Sequence, residues 1–412
     1  MDDAMQELDP HGKEGRIWRN RALWFVLLCV WARLATLHMH HPFLGYDENF
    51  PYYLLTYRLE FTPRAVIGTI YDFLRNSFGI GWKAFCILRF GFAVCAYTAI
   101  AIGVFRLLTR FRDHKVAVLF GLFIFSMPST FHSAAIISMF DIYIVCIMLL
   151  CTLITMKSKT ALYVLVPPLC ALAVLIHENF IFMYLPFLIG LLAWRGELAC
   201  LRGWLKASVT AIVTFGTFGA MSFYRARLHT QPGALDALND ALVQRAAEHG
   251  VKLQQCLVTL EMTYWEHVKS VWRHFFLEQY GPYQIAINLI SMILLIPAAV
   301  VIARLWLNAW RQTPADARRR LLVLLLSCFG ACGLFIVAHD YIRWLTAIFI
   351  CQTAALIAVY TDSRHPIRFE LTARQALQWS CVCLFYLCLD PPTAICFPVA
   401  DLLAYPVFKL CM

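Results

Sequence analysis

The sequence predicts an all-α protein: a polytopic bundle of about eleven transmembrane helices, with short surface helices in two outer loops. Three observations predict it. The 412-residue chain is 61% hydrophobic and only 15% charged, with a mean hydropathy of +0.65, too little polar side chain to cover a water-soluble domain of this size. The apolar residues gather in runs able to cross about 30 Å of hydrocarbon. Lysine and arginine gather in every second connection between those runs.

Each element follows from these patterns. The polar start, Met1 to Gly15, runs into a basic anchor of Arg16, Arg19 and Arg21, so 1–21 is expected to be a cytoplasmic tail and not a cleavable leader. The first span, 22–38, opens into an outer segment, 39–83, too long to be a turn. Spans at 84–106, 116–133 and 137–156 are joined on the basic side by Arg106 to Lys115 and followed by Lys157 and Lys159. The next two runs, 161–177 and 179–194, are short. Basic residues both before them (Lys157, Lys159) and after them (Arg195, Arg202) predict a hairpin with its tip at His177 to Asn179, not one broken helix. After the span 206–223 comes a second long outer segment, 224–282. Its residues Ala234 to Gln244 have apolar positions at helical spacing. An aromatic and basic stretch follows through Trp265, Trp272, Phe275 and Phe276. Both outer segments read as helices lying along the membrane surface, with tryptophans at headgroup level. Spans at 283–305, 320–338, 343–361 and 376–390 complete the set, with Arg304 to Arg320 and Arg364 to Arg374 on the basic side. An odd count sends the C-terminus outside. With no internal repeat and no low-complexity linker, residues 1–412 form a single integral membrane domain.

The net charge of +10 lies in short loops and sets topology, so no nucleic-acid partner is expected; membrane lipid is. Most of the sixteen cysteines fall inside spans, as small hydrophobes, and none has zinc-site spacing. A disulfide among Cys256, Cys396 and Cys411 on the outer side stays open.

Four outer tips carry polar chemistry. Gly45 to Asn49 holds the adjacent acids Asp47 and Glu48, followed by Phe50, Tyr52 and Tyr53. Phe140 and Asp141 open the fourth span. His177 and Glu178 form the hairpin tip. His339, Asp340 and Arg343 form the last tip. Arg64 stands within an apolar helical stretch of the first outer segment. Charge at the ends of transmembrane helices is costly and marks functional cavities. An acid facing a cleft can take a proton from a hydroxyl or hold a divalent cation, and an arginine fork can clamp a phosphate. Plainer readings stand beside these: a polar loop at 45–49, a headgroup-seeking Arg64, a helix cap at Asp141, and an ion pair Glu178–Arg343 or Asp340–Arg343. His38, His40 and His41 read as solvated, with no metal site assigned.

Outward acids, histidines and phosphate-reading arginines suggest glycosyl transfer from a lipid-linked donor. The catalytic candidates are Asp47, Glu48, His177, Glu178, His339 and Asp340, with Asp141 as a further one; Arg64 and Arg343 are the substrate-phosphate ligands. Asp47 is the first choice of base and Glu48 the second, while protonated His177 or His339 could join the arginines.

A cytoplasmic N-terminus, a first span leading straight into an outer loop bearing Asp47 and Glu48, and a surface-helix segment after it resemble the GT-C class of membrane glycosyltransferases. More loosely the chain resembles the Wzy-type polysaccharide polymerases. The run Phe50-Pro51-Tyr52-Tyr53 after the acids, and the lack of a large extra domain, depart from that pattern. The resemblance implies an acid in this loop as base or metal ligand, a polyprenyl-phosphate-linked sugar and a glycan acceptor as partners, and a bacterial inner membrane as location. The cofactor is left unknown, a divalent cation (Mg or Mn) being the one such an acid would hold. The rival from another class is a multi-span transporter or lipid-linked oligosaccharide flippase, for which buried charges near mid-membrane on broken helices are expected.

Overall fold

The computed structural model describes residues 10–40, 53–62, 64–109, 111, 114–127, 140–157, 160–249, 263–279, 281–336, 340–389 and 398–411. Among them every regular element is a helix: α1 (Pro10–His40), α2 (Ala65–Phe78), α3 (Trp82–Leu108), α4 (His114–Ser126), α5 (Asp141–Lys157), α6 (Thr160–Tyr163), α7 (Val166–Ile176), α8 (Phe180–Met183), α9 (Leu185–Trp194), α10 (Leu201–Thr230), α11 (Ala234–Glu248), α12 (Tyr264–Phe276), α13 (Gly281–Gln312), α14 (Ala315–Ser327), α15 (Tyr341–Tyr360), α16 (Ala373–Cys388) and α17 (Pro398–Cys411). Short 3-10 turns follow α9 (Glu197–Ala199) and α14 (Gly330–Ile336).

Five described helical stretches are long and apolar enough to cross a membrane: α3, α10, α13, α15, and α14 with its 3-10 extension to Ile336. The chain is an all-helical, multi-span membrane protein. A helix buries its own backbone donors and acceptors, which is why hydrocarbon selects this architecture. Of the other expected spans, the apolar helices at Lys115–Ser126, Thr160–Ile176 and Phe180–Trp194 are shorter, α1 is long enough but is not one of the five, and 116–133 runs into 128–133, outside the described residues. The helix α17 has no counterpart in the sequence reading. It packs on the first half of α13, where Tyr283 hydrogen-bonds Asp401 and its ring lies 5.1 Å from that of Phe408.

The helix α15 is buried along nearly its whole length and fixes the two ends of the bundle. At its start, Arg343 contacts His177; just past its end, Arg364 Nη1 donates to the Arg195 carbonyl at 2.6 Å. The segment from His177 to Arg195 therefore runs the full length of α15. On the other side, Tyr163 bonds Thr210 (3.3 Å) and Lys206 bonds Glu197 (2.6 Å), so α6 starts at the same end as Arg195. Residues 160–176 and 180–194 thus run in opposite directions, as a hairpin whose tip is His177 to Asn179. Proline at the N-terminal turn of both α7 and α9 suits this, since its missing N–H is an unpaired donor there in any case.

Two helices from the long segments 39–83 and 224–282 clamp together at the Arg343 end. From α2, Asp72 takes Arg245 of α11 at 2.6 and 3.3 Å, and Arg75 takes Glu248 at 3.3 Å. Tyr71 Oη meets His249 Nε2 at 3.4 Å, and the His249 ring lies on Trp82. Beneath α2 the backbone of 53–57 approaches so closely that a Cβ on Gly68 would sit 2.0 Å from the Leu55 carbonyl, so only glycine fits.

Candidate functional site

Six of the sequence-selected residues meet at the Arg343 end: Arg64, Asp141, His177, Glu178, Asp340 and Arg343. Asp47, Glu48 and His339 lie outside the described residues. Each of the six sits at a helix terminus. Asp141 is the first residue of α5, His177 follows α7, Asp340 precedes α15, and Arg343 lies in its first turn.

Arg64 is not inside a helix, as its apolar surroundings suggested, but caps α2 with φ +70° and ψ 3°. Among the described residues it is the single non-glycine at positive φ. Such a conformation costs about 1–3 kcal/mol and persists only where contacts hold it. Two contacts do so here. Its N–H donates to the Leu175 carbonyl at 3.2 Å, serving one of the acceptors left over at the end of α7. Its guanidinium grips Glu178 with both arms of the carboxylate, at 2.9 and 3.4 Å.

Arg343, 5% exposed, uses all three nitrogens. Nε lies 2.9 and 3.1 Å from the two Asp141 oxygens, Nη1 is 3.4 Å from Asp340, and Nη2 is 2.6 Å from His177 Nε2. The expected pair Asp340–Arg343 is therefore present, whereas Glu178 pairs with Arg64 and not with Arg343. The pairing also fixes the histidine. A guanidinium has donors only, so Nε2 turns its lone pair to Arg343 and the ring proton sits on Nδ1, 3.5 Å from Glu178 Oε2. The Asn179 N–H, 3.3 Å from Nδ1, favours the other tautomer, but the 2.6 Å contact decides. With Nε2 accepting from Arg343 and the ring proton on Nδ1, His177 is neutral in this arrangement.

Among the described residues, two guanidiniums and three carboxylates give the cluster one net negative charge. Its loosest member is Asp340, whose side chain is 31% exposed and whose contact is the longest of those to Arg343. The Arg343 Nη1 donor is thus the one held least tightly within the cluster. Among the described residues no group of three or more His, Cys, Asp or Glu side chains is placed to hold a metal ion. Both oxygens of Asp141 and both of Glu178 are already taken by arginine, so this cluster does not suit a divalent cation.

Arg89, Asp72 and Arg245 were not among the residues expected from the sequence. Arg89 lies 3.6 Å over the ring of Tyr53, which packs on Phe140 at 4.8 Å, next to Asp141. Arg89 stands between Lys83 and Arg106 in a run otherwise free of charge, and an ionisable residue inside an apolar span was the signal available. Asp72 and Arg245 are 173 residues apart, and no local pattern pairs them.

Compared with known proteins, the chain matches no family model, no curated sequence and no solved structure. Its membership is that of a polytopic, all-helical membrane protein, and its site must speak through geometry.

A cavity of about 980 Å³ lies at the opposite end of α15 and is lined by Phe111, Tyr360, Asp362, Arg368, Phe369 and Glu370, among others. Three charged residues line it, Asp362, Arg368 and Glu370, and the buried one, Asp362, is spent on structure. Burial pushes the Asp362 carboxyl up, but the side-chain and backbone hydrogen bonds from Arg364 outweigh it and hold the group below its ordinary value. A carboxyl depressed in the folded state stabilises above its unfolded pKa, and that stability fades as pH falls through the folded one. Thermal unfolding in detergent should therefore show Asp362→Asn less stable by about 2 kcal/mol at neutral pH. The gap to the native chain should close below about pH 4; a gap unchanged there would mean that the charge contributes nothing.

Proposed function

We propose that the chain is a membrane glycosyltransferase, or a polysaccharide polymerase, that takes sugar from a polyprenyl-phosphate-linked donor on the extracytoplasmic face. The observation that carries the reading is the gathering of Arg64 and Arg343, with their carboxylates and His177, at helix termini on one end of an apolar bundle. On the sequence-based expectation of about eleven spans from a cytoplasmic N-terminus, that end lies outside, where the lipid-linked donor would be met.

In this reading Asp47, or Glu48 in its place, removes the acceptor hydroxyl proton as that oxygen attacks the anomeric carbon. The bond from that carbon to the lipid phosphate breaks, and the departing phosphate oxygen carries the charge. Arg343 and Arg64 are aimed where that charge develops, in surroundings that exclude water and so strengthen the attraction. Neutral His177 positions Arg343, Asp141 holds its Nε, and Asp340 is the group the phosphate displaces. The gathering of these six residues at helix ends favours this reading over the flippase or transporter, for which charges near mid-membrane on broken helices are expected.

The test is transfer in vesicles holding the purified full chain, a polyprenyl-phosphate-linked radiolabelled sugar and a glycan acceptor. Label should move to the acceptor. Movement of the labelled lipid across the bilayer with no transfer would make the protein a flippase and overturn the assignment.

A further inference from the structure

The helix α12, Tyr264–Phe276, has two apolar edges, and only one of them faces the protein. Val271 and Phe275 are buried, and the Phe275 ring stacks on Tyr341, at the start of α15, with centroids 5.3 Å apart. The second edge looks outward. Trp265 is 65% exposed, Trp272 61% and Phe276 61%, at a spacing of seven and four residues that puts all three on one stripe. Trp272 and Phe276 touch, with ring centroids 4.4 Å apart. Lys269 and Arg273 flank the stripe, and Lys269 lies 5.8 Å over the Trp265 ring. Glu266, the acid on this helix, is turned back to its start, where it and Thr263 cap each other.

The position of this helix along the membrane normal follows from its junction with α13. A Cβ on Gly281 would lie 2.3 Å from the Phe275 carbonyl. Along one continuous helix, residues six apart are separated by about 9 Å. The chain therefore turns between the end of α12 and Gly281, and α12 does not prolong the long apolar α13 but leaves it at an angle. It lies at the mouth of one span and against the first turn of another, which is the level of the bilayer surface.

We propose that α12 is an interfacial anchor, seated in the lipid headgroup layer with Trp265, Trp272 and Phe276 in the acyl boundary and Lys269 and Arg273 on lipid phosphates. Amphipathic helices with tryptophan on one face and cations beside it bind this layer, since the indole has both an apolar body and a donor. The anchor stands independently of the chemistry assigned to the charged cluster. Through the Phe275–Tyr341 stack it also braces the turn of α15 that holds Arg343.

The test replaces Trp272 with p-benzoylphenylalanine in the full chain, in vesicles of phosphatidylcholine and phosphatidylglycerol, and reads adducts by mass spectrometry after irradiation. The same substitution at Ile293, outward-facing on α13, gives the reference yield for a lipid-exposed position. Lipid adducts at position 272 should reach about half the Ile293 yield. A yield below about one-tenth of it means that the stripe faces water. Adducts to protein in place of lipid mean that another polypeptide or a second copy covers it. Either result overturns the proposal.

Discussion

Replacing Arg343 by alanine should abolish glycan assembly and also lower the amount of folded protein. Burial is the reason for the second effect, because the guanidinium is the counterion of Asp141 and the donor to His177. Removing one partner of a buried pair costs about 3–5 kcal/mol, a large part of the stability of a typical domain. Two further variants separate folding from function. Arg343→Lys keeps the charge but loses the fork that reaches Asp141, Asp340 and His177 together, so it should fold while transfer falls by about a hundredfold or more. The apolar pair Arg343→Met with Asp141→Leu removes both charges at once and should recover much of the folded protein, since buried pairs can be exchanged for packing at little cost. It should recover no transfer. Wild-type glycan from that double variant would reduce the Arg343–Asp141 pair to a structural contact and remove Arg343 from the mechanism.

The second large effect is expected at Asp47. Loss of a general base reduces rate by about 10² to 10⁴, so Asp47→Asn should leave membrane insertion and thermal stability as they are and abolish product. Measuring transfer in vesicles alongside unfolding in detergent distinguishes this from damage to the fold. If Asp47→Asn transfers at the native rate and Glu48→Gln does not, the base is Glu48; if both variants are fully active, the base is not in this loop and the proposed chemistry fails.

Much of the site was legible because hydrocarbon makes charge conspicuous. In a chain with so few ionisable residues, Asp141, His177, Glu178, Asp340 and Arg343 each stood at the boundary of an apolar run, and the structure brings all five together with Arg64. The cysteines, by contrast, gave no lead, and those described are free thiols. The partners were not legible. Glu178 could have taken either arginine by charge alone; Arg64 wins it because a left-handed turn, hydrogen-bonded to Leu175, aims the guanidinium at the end of α7. Arg343 is then left to His177, which sets the proton on that ring.

The amino-acid order by itself determined the helical, membrane-crossing class and the turning-back of the chain at His177 to Asn179. Apolar run length and the placement of basic residues are local properties that the bilayer reads directly. Only the tertiary structure decided which carboxylate neutralises which arginine, that α2 and α11 close over the cluster through Asp72 and Arg245, and that α12 leaves α13 at an angle. Those outcomes depend on distances between residues more than a hundred positions apart, or on the backbone approach at one glycine, and packing of the whole bundle sets both.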